Sequence, residues 1–518
     1  MRSYTFYLTT FLKYFVVFVF LGSVIGINTY FLLHQSIGLD EAQSIWIVTK
    51  PMGAMLQLTA QDVHPPLYNL LLHYWLLIFG TDISVARILS VIFFVFTIPF
   101  LFQMSKESSN SRVAFLTVIL FSLSPFILWY SSEARMYSML AFATAANSLY
   151  FLRMFRTRGD KGGLGFFITA AFGLYTHYFF ILLLGTQALF VLYKGLVNLV
   201  SGKISVSEFL NNPDEKNKIF VKKFFKILIS ASILLLPWLL YVFLNGSASN
   251  TQPLIPKPTT YNIFELFVNV MFGFPTAAIQ TIIVSMWPLL GIIFFFVFTH
   301  RKTQPLFTVR YFLMATFIPV FIIYLGSFIK PVFLSRYLIF ITPTFFFLIA
   351  WILVNYAKKL SSYLIAAVIV LMLVFSFEQD FTSYTPVKEN YKGVAEYLYK
   401  NASANDVIAV TAPFTIYPLE YSYNGITTLD TIPQWDRLQE GGIPPFNSSD
   451  LITQVDNYKK QYARLFVVYS YNQGYENKIK NYLDEHYKIE KTVNFSQGLW
   501  LRVYTLQYGV ASLKVTQY

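Results

Sequence analysis

The chain contains no cysteine. Its 518 residues therefore form no disulfide, offer no thiolate to zinc and carry no thiol nucleophile or palmitoylation site. Charged residues are also scarce, because they make up 13% of the chain against roughly 25% in soluble domains. This scarcity, with a mean hydropathy of +0.52, excludes a soluble enzyme, a fibrous protein and a disordered chain.

Apolar residues are abundant instead, at 55% of the chain with 54 Phe. Apolar runs near 20 residues recur through the first three-quarters, and that length lets a helix cross a bilayer. The first run is too long for a signal-peptide core and reads as a retained anchor helix. The sequence predicts a polytopic membrane protein with about eleven spanning helices, near 11–33, 84–104, 113–131, 134–154, 164–176, 178–198, 225–244, 277–298, 308–327, 337–355 and 361–377.

Basic residues give the orientation. The net charge is +13, but the Lys and Arg residues flank the apolar runs, where the positive-inside rule explains them without a nucleic-acid partner. If the apolar segments 41–59 and 65–80 lie on the outer surface, 20 of the 26 Lys and Arg before residue 378 fall on one side. The predicted N-terminus is cytoplasmic, and both segments are interfacial helices of a long first external loop.

Residues 378–518 differ from the rest of the chain, with 15 of the 26 acids and no spanning run. A helix at 388–400, strands at 406–411 and 465–469, a helix at 475–486 and a strand ending at 501–504 alternate. This alternation predicts a small α/β domain, and an odd number of spanning helices places it outside the membrane. The predicted domains are thus a transmembrane domain, 1–377, and an extracytoplasmic α/β domain, 378–518.

Two acidic groups stand in the first external loop. Asp40 and Glu41 are adjacent after the first helix, and such a pair can supply a general base and a hydrogen-bond or metal partner. The alternative is a helix cap, which Asp serves well. Asp62 and His64 precede a Pro pair that stiffens a helix start, where His64 can meet a phosphate or simply begin an interfacial helix.

Other ionisable groups lie at predicted outer turns, where they are functional candidates because charge near the membrane is costly. Glu133 and Arg135 form either a local pair or part of a site, and His177 is either structural or a ligand. Lys330 and Arg336 contradict the charge rule, so they either bind an anionic lipid phosphate or reach towards headgroups. Acids and cations converging on one outer face suit transfer from a lipid phosphate, and they also suit transport.

The order of these motifs resembles the GT-C glycosyltransferases, specifically family 39, which includes protein O-mannosyltransferases and lipid A aminoarabinose transferases. The likeness runs through most of residues 1–377, and the chain looks like a bacterial member. It lacks the large β-trefoil insert of eukaryotic O-mannosyltransferases. The matching elements are Asp40-Glu41, Asp62-Val-His64-Pro65-Pro66-Leu67, Arg87, Ser124-Pro125, Glu133-Ala-Arg135-Met-Tyr137, Thr176-His177-Tyr178 and Ser335-Arg336-Tyr337.

The resemblance implies a polyprenyl-phosphate sugar donor and an inverting transfer. It implies that Asp40, with Glu41 beside it, is the catalytic base. Donor and phosphate contacts then fall to Asp62, His64, Arg135, His177, Lys330 and Arg336, and Glu133, Tyr137 and Tyr337 complete the site. No ligand spacing establishes a metal site, so no metal ligands are assigned and no cofactor is certain; some related enzymes use a divalent cation, which stays an open alternative here.

The sequence therefore predicts an integral glycosyltransferase of the cytoplasmic membrane, mannosyltransferase-like and acting on cell-envelope glycans. It moves one sugar, a hexose or a pentose, to a glycan, lipid or protein acceptor on the extracytoplasmic face. Its predicted partners include the surrounding membrane lipid but not nucleic acid. Two alternatives remain open: a lipid-linked sugar flippase or transporter, and a non-catalytic subunit of a glycan assembly complex.

Overall fold

A computed structural model describes residues 35–62, 64–200, 215–245, 255–274, 306–356, 361–381, 388–438 and 442–506, with isolated positions 22, 23, 26, 29, 30, 33 and 281. The helices predicted at 11–33 and 277–298 fall outside the described residues apart from those isolated positions. The chain divides into two compact units. The first comprises 1–34, 64–241 and 255–386, and the second comprises 35–63, 242–254 and 387–518.

The first unit is helical. Short polar residues begin several of its helices: Asp82 Oδ1 accepts from Ser84 N–H at 2.7 Å, and Asn110 Oδ1 accepts from Val113 N–H at 3.0 Å, which are typical N-caps. Its helices are α3 (Leu67–Phe79), α4 (Ile83–Ser108), α5 (Ser111–Leu123), α6 (Pro125–Ser131), α7 (Tyr137–Arg156), α8 (Gly163–Thr176), α9 (Phe180–Val200), α10 (Glu215–Asn245), α11 (Thr260–Phe272), α12 (Leu306–Gly326), a 3₁₀ helix (Ser335–Ile341), α13 (Thr342–Tyr356) and α14 (Ser361–Phe381). The end of α10, residues 242–245, belongs to the second unit.

Membrane-spanning character is confirmed for this unit. Among the described residues, four helical stretches are long and apolar enough to cross a bilayer: Ile83–Ser108, Ile219–Asn245, Thr308–Gly326 and Ser335–Asn355. Shorter apolar helices accompany them. The chain is a multi-pass membrane protein, and the predicted total of eleven spans stays a prediction.

The predicted span 113–131 is wrong as a single helix. The structure breaks it at Ser124, and α5 and α6 meet at a bend of 63°. Pro125 lacks the N–H that would continue α5 and its ring clashes with the preceding turn. Ser124 Oγ stabilises the break, because it accepts from Ile127 N–H at 3.2 Å and donates to the Val270 carbonyl at 2.7 Å.

The first external loop also differs from expectation. The predicted interfacial helix 41–59 is two helices, α1 (Leu39–Val48) and α2 (Met52–Gln61), because the chain turns through Thr49 and Lys50 to Pro51. Both belong to the second unit. The second predicted interfacial helix, 65–80, is present as α3 and begins directly after Pro66.

A polar network lies inside the helical unit. Gln187 Nε2 donates to Asn147 Oδ1 at 2.8 Å and to the Tyr311 hydroxyl at 3.1 Å, and that hydroxyl donates to Ser148 Oγ at 2.9 Å. All four side chains are fully buried. Helices that meet in lipid gain little from the hydrophobic effect, so such hydrogen bonds help to fix α7, α9 and α12 together.

The second unit contains the predicted α/β domain, which is confirmed. Five strands form one sheet in the order β2-β1-β3-β5-β4; β1 pairs in parallel with β2 and β3, and β5 is antiparallel to β3 and β4. Helices connect the parallel strands, as parallel pairing requires. In chain order the elements are α15 (Tyr391–Asn401), β1 (Asp406–Val410), a 3₁₀ turn (Pro413–Thr415), α16 (Ile416–Ser422), β2 (Thr428–Thr431), α17 (Ser448–Gln461), β3 (Arg464–Tyr469), α18 (Glu476–His486), β4 (Lys488–Ser496) and β5 (Leu499–Thr505).

The core of this domain follows strand alternation. Side chains two apart on a strand share one face, and one face of β1 and β3 joins apolar residues of α17 and α18 in a single cluster. Intervening residues such as Ile408 and Phe466 are also buried, so the central strands β1 and β3 are covered on both sides, as strands of parallel sheets generally are, whereas β4 is largely exposed. The cluster includes Val407, Ala409, Leu451, Val455, Leu465, Val467, Ile479 and Leu483.

A partly buried ion pair joins β1 to β3: Asp406 is buried, and the Arg464 side chain is 32% exposed. Arg464 donates to both Asp406 oxygens, at 3.0 and 2.8 Å. Burial raises the pKa of Asp406, but the hydrogen bonds from Arg464 and Ser403 outweigh it and hold that pKa below its ordinary 3.8. The pair therefore contributes stability at neutral pH, and this contribution is lost as the pH falls through the lowered pKa.

Asp406→Asn is expected to lower the free energy of unfolding of the second unit by about 2 kcal/mol at neutral pH, because it weakens charge-assisted hydrogen bonds in a buried place. Thermal unfolding of the full-length protein measures this. The difference between wild type and variant should shrink below pH 3.8. The exposed Glu396→Gln is the control, and equal effects of both variants would contradict the assignment.

Candidate active site

Several residues predicted for the site surround the Tyr337 ring in the first unit. His64 stands before α3, Arg135 in the turn between α6 and α7, His177 at the end of α8, and Tyr337 in the 3₁₀ helix. Each is at most 6% exposed. Four separate segments thus bring polar and cationic side chains into one buried cluster, which we call the Tyr337 cluster.

Arg135 and His64 contact each other directly, with Nη2 of Arg135 3.3 Å from Nδ1 of His64. A guanidinium only donates hydrogen bonds, so Nδ1 of His64 is the acceptor and its ring proton is on Nε2. Burial of a guanidinium is expensive unless it is compensated. The buried charge of Arg135 therefore distinguishes the Tyr337 cluster from an ordinary apolar helix contact.

His177 and Arg336 complete the cluster around the tyrosine. The centroids of the His177 and His64 rings lie 5.7 and 6.0 Å from that of Tyr337, and the His64 and His177 centroids are 5.3 Å apart. Nδ1 of His177 accepts from Phe179 N–H at 3.1 Å, which places the ring proton on Nε2. The guanidinium carbon of Arg336 is 5.6 Å from the Tyr337 ring centroid, within cation–π range.

Asn269, which the sequence analysis missed, supports the start of the 3₁₀ helix. Its Nδ2 donates to Ser335 Oγ at 3.3 Å, one residue before Arg336. Asn269 lies in α11, whose next residue, Val270, also receives the Ser124 hydrogen bond. The available signal was the position of Asn269 in the apolar stretch 266–272 of this helix, because a polar residue in such a stretch of a membrane protein normally has a partner.

Three other predicted residues have distinct positions in the first unit. Tyr137 is fully buried at the start of α7, 4.9 Å from the ring of Tyr130. Glu133 is also buried, and its carbonyl accepts from Arg135 N–H at 2.7 Å. Lys330 is exposed after α12, and no described residue binds its ammonium group.

The predicted acids of the first loop lie in the second unit. Asp40 and Glu41 occupy the first turn of α1, and Asp62 caps the end of α2. Glu41 is fully buried, and its Oε2 accepts from Gly38 N–H at 2.9 Å and from Lys388 Nζ at 2.8 Å. Asp40 is half-buried, and it contributes to raising the pKa of Tyr471 after burial, Glu389 and Tyr391.

The described residues contain no cluster of three or more His, Asp or Glu side chains that could hold a metal ion. A cavity of about 340 Å³ lies in the second unit beside α17. Its described lining includes Gln434, Phe446 and Asn457 but neither Lys nor Arg. The Tyr337 cluster, in contrast, has two guanidinium groups suited to an anion.

Part of the chain matches a known protein family. Residues 63–204, under half of the chain, match the family model of dolichyl-phosphate-mannose-protein mannosyltransferase. That segment includes His64, Arg135 and His177. No curated protein matches the chain in sequence.

Solved structures give the fold. ArnT from Cupriavidus metallidurans bound to undecaprenyl phosphate matches with a TM-score of 0.56 at 12% identity, covering 94% of this chain and 97% of that one. This chain has the GT-C glycosyltransferase fold. The apo state of the same ArnT matches with a TM-score of 0.54 at 12% identity, covering 95% and 98%. Arabinofuranosyltransferase AftD from Mycobacteria has a TM-score of 0.48 at 10% identity, covering 95% of this chain and 40% of that one.

The GT-C resemblance predicted from the sequence is thus confirmed, as is the fold class of a helical membrane protein with a small C-terminal α/β domain. At 12% identity the ArnT match establishes the fold alone. The individual site residues stay predictions, and the Tyr337 cluster gives five of them a common location.

Proposed function

We propose that this GT-C protein transfers a single sugar from a polyprenyl-phosphate-linked donor to an acceptor, with inversion at the anomeric carbon. The observation that carries the proposal is the likeness, over 94% of this chain, to a structure solved with undecaprenyl phosphate. The mannosyltransferase family match over residues 63–204 supports a lipid-phosphate sugar as the donor class.

The Tyr337 cluster supports the phosphate end of this proposal. Arg135 and Arg336 both stand within it, and guanidinium groups pair with phosphate through two parallel hydrogen bonds. His64 and His177 each carry a ring proton on Nε2, as neutral donors suited to phosphate or sugar oxygens. We assign binding of the leaving phosphate to the two arginines, with Lys330 as a further cation. The two histidines and Asp62 are assigned contacts with the rest of the donor.

The reaction is a single displacement. Asp40 accepts the proton of an acceptor hydroxyl, and the oxygen attacks the anomeric carbon from the face opposite the phosphate. The bond between that carbon and the phosphate oxygen breaks, and its electron pair leaves with the polyprenyl phosphate. Negative charge therefore develops on the phosphate, where preorganised cations stabilise the transition state most effectively.

Glu41 has a different role in this scheme. Its buried carboxylate already holds Gly38 and Lys388, so we assign it to placing Asp40 rather than to proton transfer. Glu133 and Tyr137 support the turn that carries Arg135. Residues 1–377 form the catalytic domain in the cytoplasmic membrane with a cytoplasmic N-terminus, and residues 378–518 form the extracytoplasmic domain.

The test is turnover of a panel of polyprenyl-phosphate hexoses and pentoses by purified protein in lipid nanodiscs, with candidate glycan, lipid and protein acceptors. One donor is expected to release polyprenyl phosphate, and NMR of the product should show the anomer opposite to that of the donor. A product with the donor's own anomer would contradict inversion. Donors that bind tightly without turnover, across acceptors of all three classes, would contradict the enzyme and favour a transporter or a non-catalytic subunit.

A further inference from the structure

A buried ion pair within the second unit joins two segments that are 347 residues apart. Lys388 stands just before α15, and its Nζ lies 2.8 Å from Oε2 of Glu41 in the first turn of α1. The side chains are 6% and 0% exposed. Since a buried charge without its partner is strongly unfavourable, the two segments depend on each other for their positions.

The N-terminus of α1 is built closely around this pair. Glu41 Oε2 also accepts from Gly38 N–H, which closes the first turn. A Cβ at Gly38 would lie 3.3 Å from that oxygen and 3.7 Å from Lys388 Cδ. The fit of Gly38 against both charged side chains fixes the backbone on which Asp40, the residue before Glu41, is carried.

The other end of α1 is held to the same unit. The Trp46 ring packs 5.2 Å from that of Tyr417 in α16. Arg437 covers both rings, at 4.8 and 5.2 Å from their centroids, and its Nη1 pairs with Glu420 at 2.5 Å. Helix α1 is thus attached at both ends to the α/β part of the second unit.

We propose that Lys388 is a positioning residue for catalysis, which fixes Asp40 through its buried ion pair with Glu41. The inference rests on the proposed role of Asp40 as general base. It gives the C-terminal domain a function within the reaction: the domain supplies the cation that sets the first turn of α1. Without that cation, the buried Glu41 carboxylate loses its ion-pair partner, and the first turn of α1 is expected to shift towards water.

The test compares variants of the full-length protein in nanodiscs with the donor that wild type consumes. Lys388→Met is expected to lower kcat by about 10²-fold, the effect of a misplacement near 1 Å, with the KM for donor nearly unchanged. Lys388→Arg, which keeps the charge, is expected to restore most of kcat. Lys392→Met, an exposed cation in the first turn of α15, is the matched control and should behave as wild type.

A double variant separates positioning from loss of folding. Lys388→Met with Glu41→Gln removes both charges, so it should fold even where the single variant does not. The fold loss of kcat in the double variant is expected to be smaller than the product of the fold losses in the two single variants, because the effects of substitutions at contacting residues are not additive. The cysteine-free chain also allows spin labels at Thr49→Cys and Lys400→Cys, both exposed, whose distance distribution should broaden in Lys388→Met.

The outcomes are distinct. If wild type turns over donor and Lys388→Met has an unchanged kcat, the inference is wrong and the proposed function stands. A kcat loss that Lys388→Arg does not restore, with an unchanged distance distribution, also overturns it. If wild type consumes no donor, the proposed function is wrong. The label distances then test separately whether Lys388 positions α1.

Discussion

Asp40→Asn is expected to reduce sugar transfer by 10²- to 10⁴-fold, the usual contribution of a positioned general base. Asn has nearly the shape of Asp but cannot accept the proton of the acceptor hydroxyl. The side chain is half-buried in the first turn of α1, beside the Glu41 and Lys388 pair. The replacement therefore changes the chemistry of this position while the turn that carries it remains held.

Steady-state transfer and donor binding, measured side by side, check this result. Binding of donor should change little, because the base acts on the acceptor. The exposed Asp456→Asn in α17 is the matched control, with the same chemical change elsewhere in the second unit. Asp40→Asn with wild-type kcat would remove Asp40 from the mechanism.

Arg336→Gln is expected to lower kcat by 10²- to 10³-fold, as removal of a preorganised group at a developing negative charge does. Arg336 stands over the Tyr337 ring, with Asn269 holding the adjacent Ser335. The position of its guanidinium is therefore set before substrate arrives. Arg336→Lys should recover only part of the activity, because an ammonium lacks the two-pronged geometry for phosphate.

The comparison is a kinetic series with one donor. Lys257→Gln serves as the control for loss of general positive charge, because Lys257 is exposed and lies on the predicted outer side. Equal effects of Lys257→Gln and Arg336→Gln would mean that long-range attraction to an anionic donor, rather than a local phosphate contact, explains the result. Raising the salt concentration should weaken a long-range effect more than a buried one.

The sequence predicted that the ionisable residues of the Tyr337 cluster share one outer face, because topology limits where loops can meet. His64, Arg135, His177 and Arg336 were each placed at an outer turn by the charge rule, and few ionisable residues compete for those places. Their distances were beyond prediction, since they depend on how four helices pack. The break at Ser124 was missed although Pro125 was visible, because an apolar run alone cannot separate one helix from two.

In the second unit, some strands were predicted from the sequence, but the contact that matters most for the site was not. The strands β1 and β3 are short apolar runs and were predicted, whereas α16, β2 and α17 were missed because their polar and apolar residues mix over a few positions. The Glu41 and Lys388 pair could not be predicted at all. Each is one of many charged residues in polar segments, and nothing in the sequence relates positions 347 residues apart.

The described fold also bears on the transporter alternative. Many secondary transporters use discontinuous helices in corresponding positions of two halves. Among the described residues one bent pair, α5 and α6, breaks a span, and Ser124 and Pro125 explain it locally. The arginines of the Tyr337 cluster gather at one place rather than along a path, which suits a phosphate-binding site.

The most direct test is cleavage of the donor in detergent micelles, where there are no two compartments and transport gives no signal. With a suitable polyprenyl-phosphate sugar and acceptor, we expect one equivalent of polyprenyl phosphate for each sugar transferred, and Asp40→Asn should leave the donor intact. The contradicting result has two parts: wild-type protein leaves the donor intact in micelles, and the same protein in vesicles moves the donor rapidly across the membrane. That result would show that the protein is a transporter.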